Sequence, residues 1–310
     1  MNSKTLLYIL KRLALAVLTV WIVITITFFA TRAIPGDPFA REGKALPPQA
    51  LAALQEKFGL NKPIGQQYLD YLKDIVTKFD FGPSLKKDGR MVTDIIIDGM
   101  KTSVKLGLIA AAVATFFGIV LGSVAALRRN KLIDKIIMVV TTAFVSMPSF
   151  ITGTLLLLVF SEVLQWFPAY GATWTGLVLP VVTLALYPLA YITRLTRSSM
   201  LDVLGQDYIR TARAKGVSGV KVIFGHALKN SLIPVITYLG PMLAYIVTGS
   251  LVVEQIFAVP GIGRAFVSSI QNRDYTLIMG TTVVLATLIV VMNLISDICY
   301  KIVDPRINLE

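Results

Sequence analysis

The side chains best suited to bind a partner are concentrated in one short segment of this 310-residue chain, residues 207–216. Arg210, Arg213 and Lys215 follow Asp207 closely, and Gly216 ends the segment. Cations spaced in this way can pair with acidic groups on a protein or with anionic lipid headgroups. They do not supply the acid–base or nucleophile–base pairs that catalysis requires. The segment therefore predicts docking rather than a reaction.

The elements that position this segment are predicted to cross a membrane. The chain is 55% hydrophobic and only 15% charged, whereas soluble domains carry about 25% charged residues. Six stretches of at least 19 residues contain no charge, and a bilayer core about 30 Å thick needs roughly 20 apolar helical residues. We therefore predict an all-α, polytopic membrane protein with six transmembrane helices. The predicted spans cover about residues 9–31, 106–127, 136–161, 174–193, 232–253 and 276–296.

The first of these spans could instead be a cleaved signal peptide. Lys4, Lys11 and Arg12 precede its apolar run, and residues 30–33 weakly resemble a cleavage site. The run of 19 uncharged residues is nevertheless longer than the usual apolar region of about 7–15 residues in a signal peptide. The sequence therefore favours an uncleaved transmembrane helix.

Basic residues predict which loops face the cytoplasm. The segment between spans two and three contains four Lys or Arg and the one between spans four and five contains seven, whereas the segment between spans three and four contains none. The positive-inside rule then places both termini in the cytoplasm. Predicted cytoplasmic segments hold sixteen basic and six acidic residues, so the net charge of +12 mainly reflects topology. It does not indicate a nucleic-acid partner.

Apart from Lys11 and Arg12 at the start of the first span, the predicted spans contain no charged side chain, but they do contain helix breakers. Ion-coupled transporters usually keep an ionisable residue in the membrane, so uphill transport by this chain would take its energy from another protein. Prolines predict kinks that could line a cavity or gate, although ordinary helix packing explains each of them equally well. A contact with a neighbouring helix likewise explains the polar residue of span six. The candidate pathway or gate residues are Ser146, Met147, Pro148, Pro188 and Asn293.

The sequence contains none of the common motifs of a nucleotide-binding or hydrolytic site. A Gly-x4-Gly-Lys-[Ser/Thr] loop is absent, and the spans contain no His-Glu-x-x-His motif, Gly-x-Ser-x-Gly motif or paired carboxylates. The single cysteine, Cys299, excludes an intrachain disulfide and a cysteine-based metal site. We therefore expect a chain that is not an enzyme and binds no cofactor or metal itself.

Two segments between the spans are predicted to fold. Residues 32–105 are expected to form an extracytoplasmic insertion with a helix at 49–58 and an amphipathic helix at 64–79. This insertion either docks an extracellular partner or packs against its own spans. Residues 194–231 predict two short helices, the first ended by Gly216. These helices either lie on anionic lipid or dock a cytosolic motor.

Segment 207–216, followed by His226–Pro234, resembles the coupling loop of binding-protein-dependent ABC transporter permeases of the oligopeptide/dipeptide class. Three further segments, Phe28–Pro38, Gly59–Tyr68 and Val253–Tyr275, are similar to the same class in the same order along the chain. The match therefore extends over nearly the whole sequence.

The resemblance implies a single permease domain, residues 1–310, that imports oligopeptides or dipeptides by alternating access. Helix 207–216 would fit a groove of a cytoplasmic ATPase, where Gly216 permits a tight turn. The implied ATPase-coupling residues are Asp207, Tyr208, Arg210, Thr211, Ala212, Arg213, Ala214, Lys215, Gly216 and His226. The implied docking residues for a binding protein are Tyr68, Phe81, Gly261, Gly263, Arg273 and Asp274.

The resemblance also implies partners and a location. ATP and Mg would bind to two ATPase subunits, and the other partners would be a second, homologous permease, an extracytoplasmic substrate-binding protein, the peptide and membrane lipid. The location would be a bacterial or archaeal cytoplasmic membrane. Two alternatives stay open: a related importer of nickel chelates, opines or another small solute, and a channel or facilitator that works without an ATPase.

Overall fold

The computed structural model describes residues 3–34, 39 and 47–303, and within them the only β-structure is an isolated bridge between Pro83 and Met91. Residues 35–38, which carry part of the family resemblance after the first span, lie outside the described residues. The helices are α1 (Ser3–Ala33), α2 (Pro48–Lys57), α3 (Ile64–Lys78), α4 (Val92–Leu127), α5 (Leu132–Ser146), α6 (Ser149–Leu156), α7 (Val178–Leu204), α8 (Asp207–Ala214), α9 (Gly219–Lys221), α10 (Lys229–Ser231), α11 (Ile233–Val247), α12 (Leu251–Ile256), α13 (Ile262–Gln271) and α14 (Tyr275–Val303). Two π-helical segments, Leu157–Val163 and Val222–Leu228, extend α6 and join α9 to α10.

Among the described residues, four helices are long and apolar enough to cross a membrane, namely α1, α4, α7 and α14. Two bent pairs, Leu132–Ser146 with Ser149–Val163 and Gly219–Ser231 with Ile233–Ile246, raise the number to six if each pair forms one span. The predicted all-α, multi-span fold is confirmed.

The structure differs from the prediction at span three. Residues 136–161 were expected to form one kinked helix, but α5 and the helix that follows it are bent by 107°. Met147 leaves the helical conformation with φ −89° and ψ 124°. Proline disfavours a helical conformation in the residue before it and lacks the N–H that a continuous helix needs. Pro148 therefore breaks the helix instead of only kinking it.

The chain divides into two compact units. The first consists of Met1–Thr102 and Pro260–Val290. Its core contains Phe28 and Phe81, which are 1% and 6% exposed. The end of α1 is tied to α3, since the hydroxyls of Thr25 and Tyr68 lie 2.7 Å apart. Part of the predicted external insertion therefore packs on its own span.

The second unit consists of Ser103–Val259 and Val291–Glu310, and α7 packs closely on α4 within it. Gly122 of α4 faces the backbone of α7, where a Cβ atom would lie 2.5 Å from the carbonyl oxygen of Thr193. At Gly118, one turn earlier, a Cβ atom would lie 2.7 Å from the side chain of Ile192. Small residues four apart allow helix backbones to approach this closely in membrane proteins. The pair of glycines thus fixes the contact between α4 and α7.

Candidate functional site

Helix α8 begins three residues after the end of α7, and the charges at its two ends stabilise the helical conformation. Asp207 lies in its first turn and Arg213 in its last turn. A carboxylate at the N-terminus and a cation at the C-terminus both complement the helix dipole. Arg210 adds a weak pair with Asp207 at 3.6 Å, between side chains that are 75% and 96% exposed. An exposed pair of this kind contributes little to stability, so the fold does not depend on it.

The inner face of α8 is held by an apolar cluster. Ile209 is fully buried and packs with Val222 and Ala227 from the next helical segment. Met200 of α7 and Ala126 of α4 complete the buried part of this cluster. The loop between α7 and α11 is therefore attached to the ends of two long helices and is not a free linker.

The outer face of α8 is exposed and basic. Ala212 and His226, which were predicted to belong to the same surface, are only half exposed. We call the exposed set the α8 surface; it comprises Asp207, Tyr208, Arg210, Thr211, Arg213, Ala214, Lys215 and Gly216. All eight belong to the set that the family resemblance assigns to ATPase coupling, and all eight are accessible to a partner.

Gly216 ends the α8 surface in a conformation that favours glycine. Its φ is +78°, in the left-handed region, and a Cβ atom there would meet no other atom within 4 Å. A side chain at this position would therefore strain the backbone without clashing inside the chain. Any steric need for glycine must come from a partner.

The segment after α8 adds an apolar patch that the sequence did not single out. Val220 and Phe224 are 69% and 65% exposed. Ser218 occupies the N-cap position of α9, but its side chain makes no capping hydrogen bond. Asn230 donates to the hydroxyl of Tyr208 over 2.9 Å, which ties the second helical segment to α8. Exposed apolar residues beside a basic helix are typical of a protein-binding surface.

The first unit contains a cleft of about 1350 Å³ near the predicted docking residues. Gly261, Arg273 and Asp274 line it, whereas Gly263 is buried in α13 and is not among the lining residues. Phe81 and Tyr68 contribute to the core and not to the cleft. The charged lining residues are Lys86, Lys87, Arg90, Asp98, Arg264, Arg273 and Asp274. Five cations against two acids make the cleft electropositive.

The two acids of the cleft are already engaged. Asp98 accepts a hydrogen bond from Arg90 at 2.9 Å. Asp274 is 1% exposed and accepts hydrogen bonds from the hydroxyl of Ser84 and the backbone N–H of Leu85. Asp274 therefore fixes the loop at residues 84–85 onto the start of α14. Its role in the structure is to shape the cleft.

The candidate gate residues lie on three elements and differ in exposure. Ser146, Met147 and Pro148 lie at the sharp bend after α5, with Ser146 and Pro148 exposed. Pro188 is buried inside α7, and Asn293 is exposed on α14. Of these positions, the bend is the best candidate for a gate because the chain changes direction there by 107°.

Replacing Ile209 with alanine should loosen α8. Truncating a buried isoleucine costs about 2–5 kcal/mol, and here the loss falls on the packing of one short helix. We expect faster hydrogen–deuterium exchange in residues 207–216, measured by mass spectrometry. Val220→Ala, on an exposed side chain of the same loop, should leave that exchange unchanged. Equal exchange in the Ile209 variant and the wild type would contradict the packing described for α8.

Family models match most of the chain. Residues 118–309 match the family described as binding-protein-dependent transport system inner membrane component. Residues 5–107 match the N-terminal part described for membrane components of the same kind of transport system.

Curated relatives match over nearly their whole length. The chain is 47% identical to the dipeptide transport system permease protein DppB of Bacillus subtilis (strain 168), covering 98% of each. It is 43% identical to the oligopeptide transport system permease protein OppB of Haemophilus influenzae (strain Rd), covering 97% of this chain and 99% of that protein.

A solved structure supports the fold alone. The chain of a crystal structure of an amino acid ABC transporter with histidines aligns with a TM-score of 0.53 at 15% identity, covering 67% of this chain and 94% of that one. The two family matches and the curated relatives show that the chain belongs to the family of binding-protein-dependent transport system inner membrane components. Within that family it belongs to the group that contains dipeptide and oligopeptide permeases.

Proposed function

We propose that this chain is the permease subunit of an ATP-driven importer of dipeptides or oligopeptides. The observation that carries the proposal is the 47% identity to a dipeptide permease over 98% of the chain. Substrate choice in a solute path depends on the side chains along its full length, so similarity that covers every span supports the substrate class more strongly than one shared loop does.

The α8 surface is the proposed contact with a cytoplasmic ATPase. It presents cations and a left-handed glycine turn on a helix that is anchored by Ile209. A groove with acidic side chains or helix C-termini would complement these cations. Closure of two ATPases on ATP and Mg would move two such helices and shift the balance between inward- and outward-open states. In this proposal the permease itself hydrolyses nothing.

The remaining partners and the topology belong to the same proposal. Both termini and the 194–231 loop would face the cytoplasm of a bacterial or archaeal cell, following the distribution of basic residues. The chain would pair with a second, homologous permease and receive peptide from an extracytoplasmic binding protein. Membrane lipid would surround the spans.

The electropositive cleft of the first unit is the proposed docking site for the binding protein. It lies in the unit that contains the segment predicted to be extracytoplasmic, and it would fit an acidic surface. Charged residues at the rim of an interface mainly accelerate association and make it sensitive to salt.

Reversing one cleft charge should weaken this docking. Lys87→Glu is expected to lower the affinity of the binding protein for the assembled complex by about threefold or more at low salt, since a tenfold change corresponds to only about 1.4 kcal/mol. Biolayer interferometry at low and high salt measures the effect, which should shrink at high salt. Lys73→Glu serves as the matched control, because Lys73 is exposed on α3 and lies outside the cleft. Equal losses in the two variants would contradict docking at the cleft.

Substrate competition separates peptides from the related alternative of nickel chelates or opines. In proteoliposomes with the complete complex, a labelled dipeptide should accumulate, and excess unlabelled dipeptide should compete with it. A nickel–histidine chelate should not compete. Uptake of labelled nickel that peptides do not inhibit would replace the proposed substrate with a metal chelate.

A further inference from the structure

A partly buried ion pair joins α5 to α7 within the second unit. The side chain of Asp134 is 3% exposed and that of Arg197 is 23% exposed. Arg197 donates from Nε to Oδ1 over 2.6 Å and from Nη2 to Oδ2 over 2.7 Å. The backbone N–H of Asn130 donates to the same carboxylate over 2.9 Å. Such a two-pronged pair fixes the angle between its partners as well as their separation.

A second polar contact runs between the same two helices. Arg194 donates from Nη2 to the hydroxyl of Thr142 over 2.9 Å. Arg194 and Arg197 lie three residues apart, on one face of α7. Asp134 and Thr142 lie eight residues apart, which is about 12 Å along α5. The two contacts therefore tie α5 to α7 over about two helical turns, so the helices cannot easily slide past each other.

The tied region lies between the loop that carries the α8 surface and the sharp bend. Arg197 precedes the end of α7 at Leu204 by two turns, and α8 starts at Asp207. Met200, between Arg197 and that end, is fully buried against Ile209 and its cluster. In the other direction, α5 continues from Asp134 to the 107° bend after Ser146. A displacement of α8 thus has a continuous packed route to the bend.

We propose that Asp134 and Arg197 are positioning residues that transmit the movement of α8 through α7 to α5 and the bend at Met147-Pro148. The inference rests on the proposed function, because it requires an ATPase that moves α8. An apolar contact would hold the helices together but would let them slide along each other. The two-pronged contact between Arg197 and Asp134 fixes the register of α5 against α7. The pair thereby couples the ATPase cycle to the reorientation of α5.

The number of peptides transported per ATP hydrolysed distinguishes this transmitting role from a merely structural one. A structural defect lowers assembly, so uptake and ATP hydrolysis fall together in each preparation. If a transmitting contact is lost, the assembled complexes still hydrolyse ATP, but a movement of α7 displaces α5 less. The ratio of uptake to hydrolysis must then fall.

Arg197→Lys is the most informative variant, since lysine keeps the charge but cannot form the two-pronged contact. Arg197→Gln removes the charge as well. In proteoliposomes with the complete complex, both variants should lower the peptide-to-ATP ratio about fivefold or more, the lower end of usual coupling between sites. Lys78→Gln breaks an exposed ion pair with Asp74 in the first unit, outside the cleft, and should leave the ratio unchanged.

Each result bears on the inference. If Arg197→Gln fails to assemble, Arg197→Lys decides alone. Assembled Arg197→Lys complexes with the wild-type ratio would overturn the transmitting role, as would equal losses of uptake and hydrolysis. Wild-type complexes that hydrolyse ATP without importing peptide would instead overturn the proposed function, and this inference with it.

Discussion

Replacing Gly216 with tryptophan should abolish ATP-dependent uptake while leaving membrane insertion intact. The substitution costs backbone strain of about 1–2 kcal/mol, because a non-glycine residue is forced into the left-handed region. It meets no atom of this chain within 4 Å, so the fold can accommodate the ring. The proposed ATPase groove, which would be fitted to glycine, should not accommodate it. Uptake of labelled peptide and co-purification of the ATPase subunits from detergent measure the two effects.

A graded series separates strain from bulk at Gly216. Asparagine tolerates the left-handed conformation and adds little volume, so Gly216→Asn should keep most activity; Gly216→Ala, which adds strain without bulk, should lie between asparagine and tryptophan. Gly65→Trp places the same ring at an exposed glycine with no atom within 4 Å and an ordinary φ, and it should transport normally. Undiminished uptake in Gly216→Trp would exclude the α8 surface as the coupling element.

Replacing Gly122 with leucine should prevent the second unit from folding normally. A Cβ atom at this position would lie 2.5 Å from the Thr193 carbonyl oxygen and 2.6 Å from the Thr196 Cβ. The first of these is backbone, so only separation of α4 from α7 relieves the clash. Overpacking of a close-packed interior costs about 1–3 kcal/mol, and occasionally more.

The expected result for Gly122→Leu is a lower yield of monodisperse protein and a lower midpoint of thermal unfolding, both measured in detergent by fluorescence-detected size exclusion. Val120→Leu on the same helix serves as the control, because Val120 is 42% exposed. If both leucine variants were as stable as the wild type, the close contact between α4 and α7 would be incorrect.

Local features of the sequence predicted much of the helical fold and the α8 surface. Uncharged runs identify spans, since a run of that length is rare outside a membrane. The charges and Gly216 predicted the bounds of α8, because helix ends depend on neighbouring residues. The break at Pro148 was located correctly, but its 107° angle was not. An angle depends on what the two helices pack against, which a local pattern does not contain.

Contacts between distant residues could not be predicted in this way. Asp134 and Arg197 are 63 positions apart, and each on its own fits a solvated residue at the end of a span. Glu254 was expected at the external end of span five, yet it is fully buried and accepts a hydrogen bond from Ser103 over 2.7 Å. Phe81 was expected on a docking surface and lies in a core. The burial of Asp134, Glu254 and Phe81 is decided by other segments of the chain.

Accumulation of peptide against its gradient tests the central claim most directly. The complete complex, with its binding protein, is reconstituted into proteoliposomes, and labelled dipeptide is measured on both sides at steady state. We predict that the concentration on the ATPase side rises above that on the binding-protein side when ATP is supplied to the ATPases, and not when a non-hydrolysable analogue replaces it. Equal concentrations on both sides, reached at the same rate with or without ATP, would show a facilitator and contradict the account.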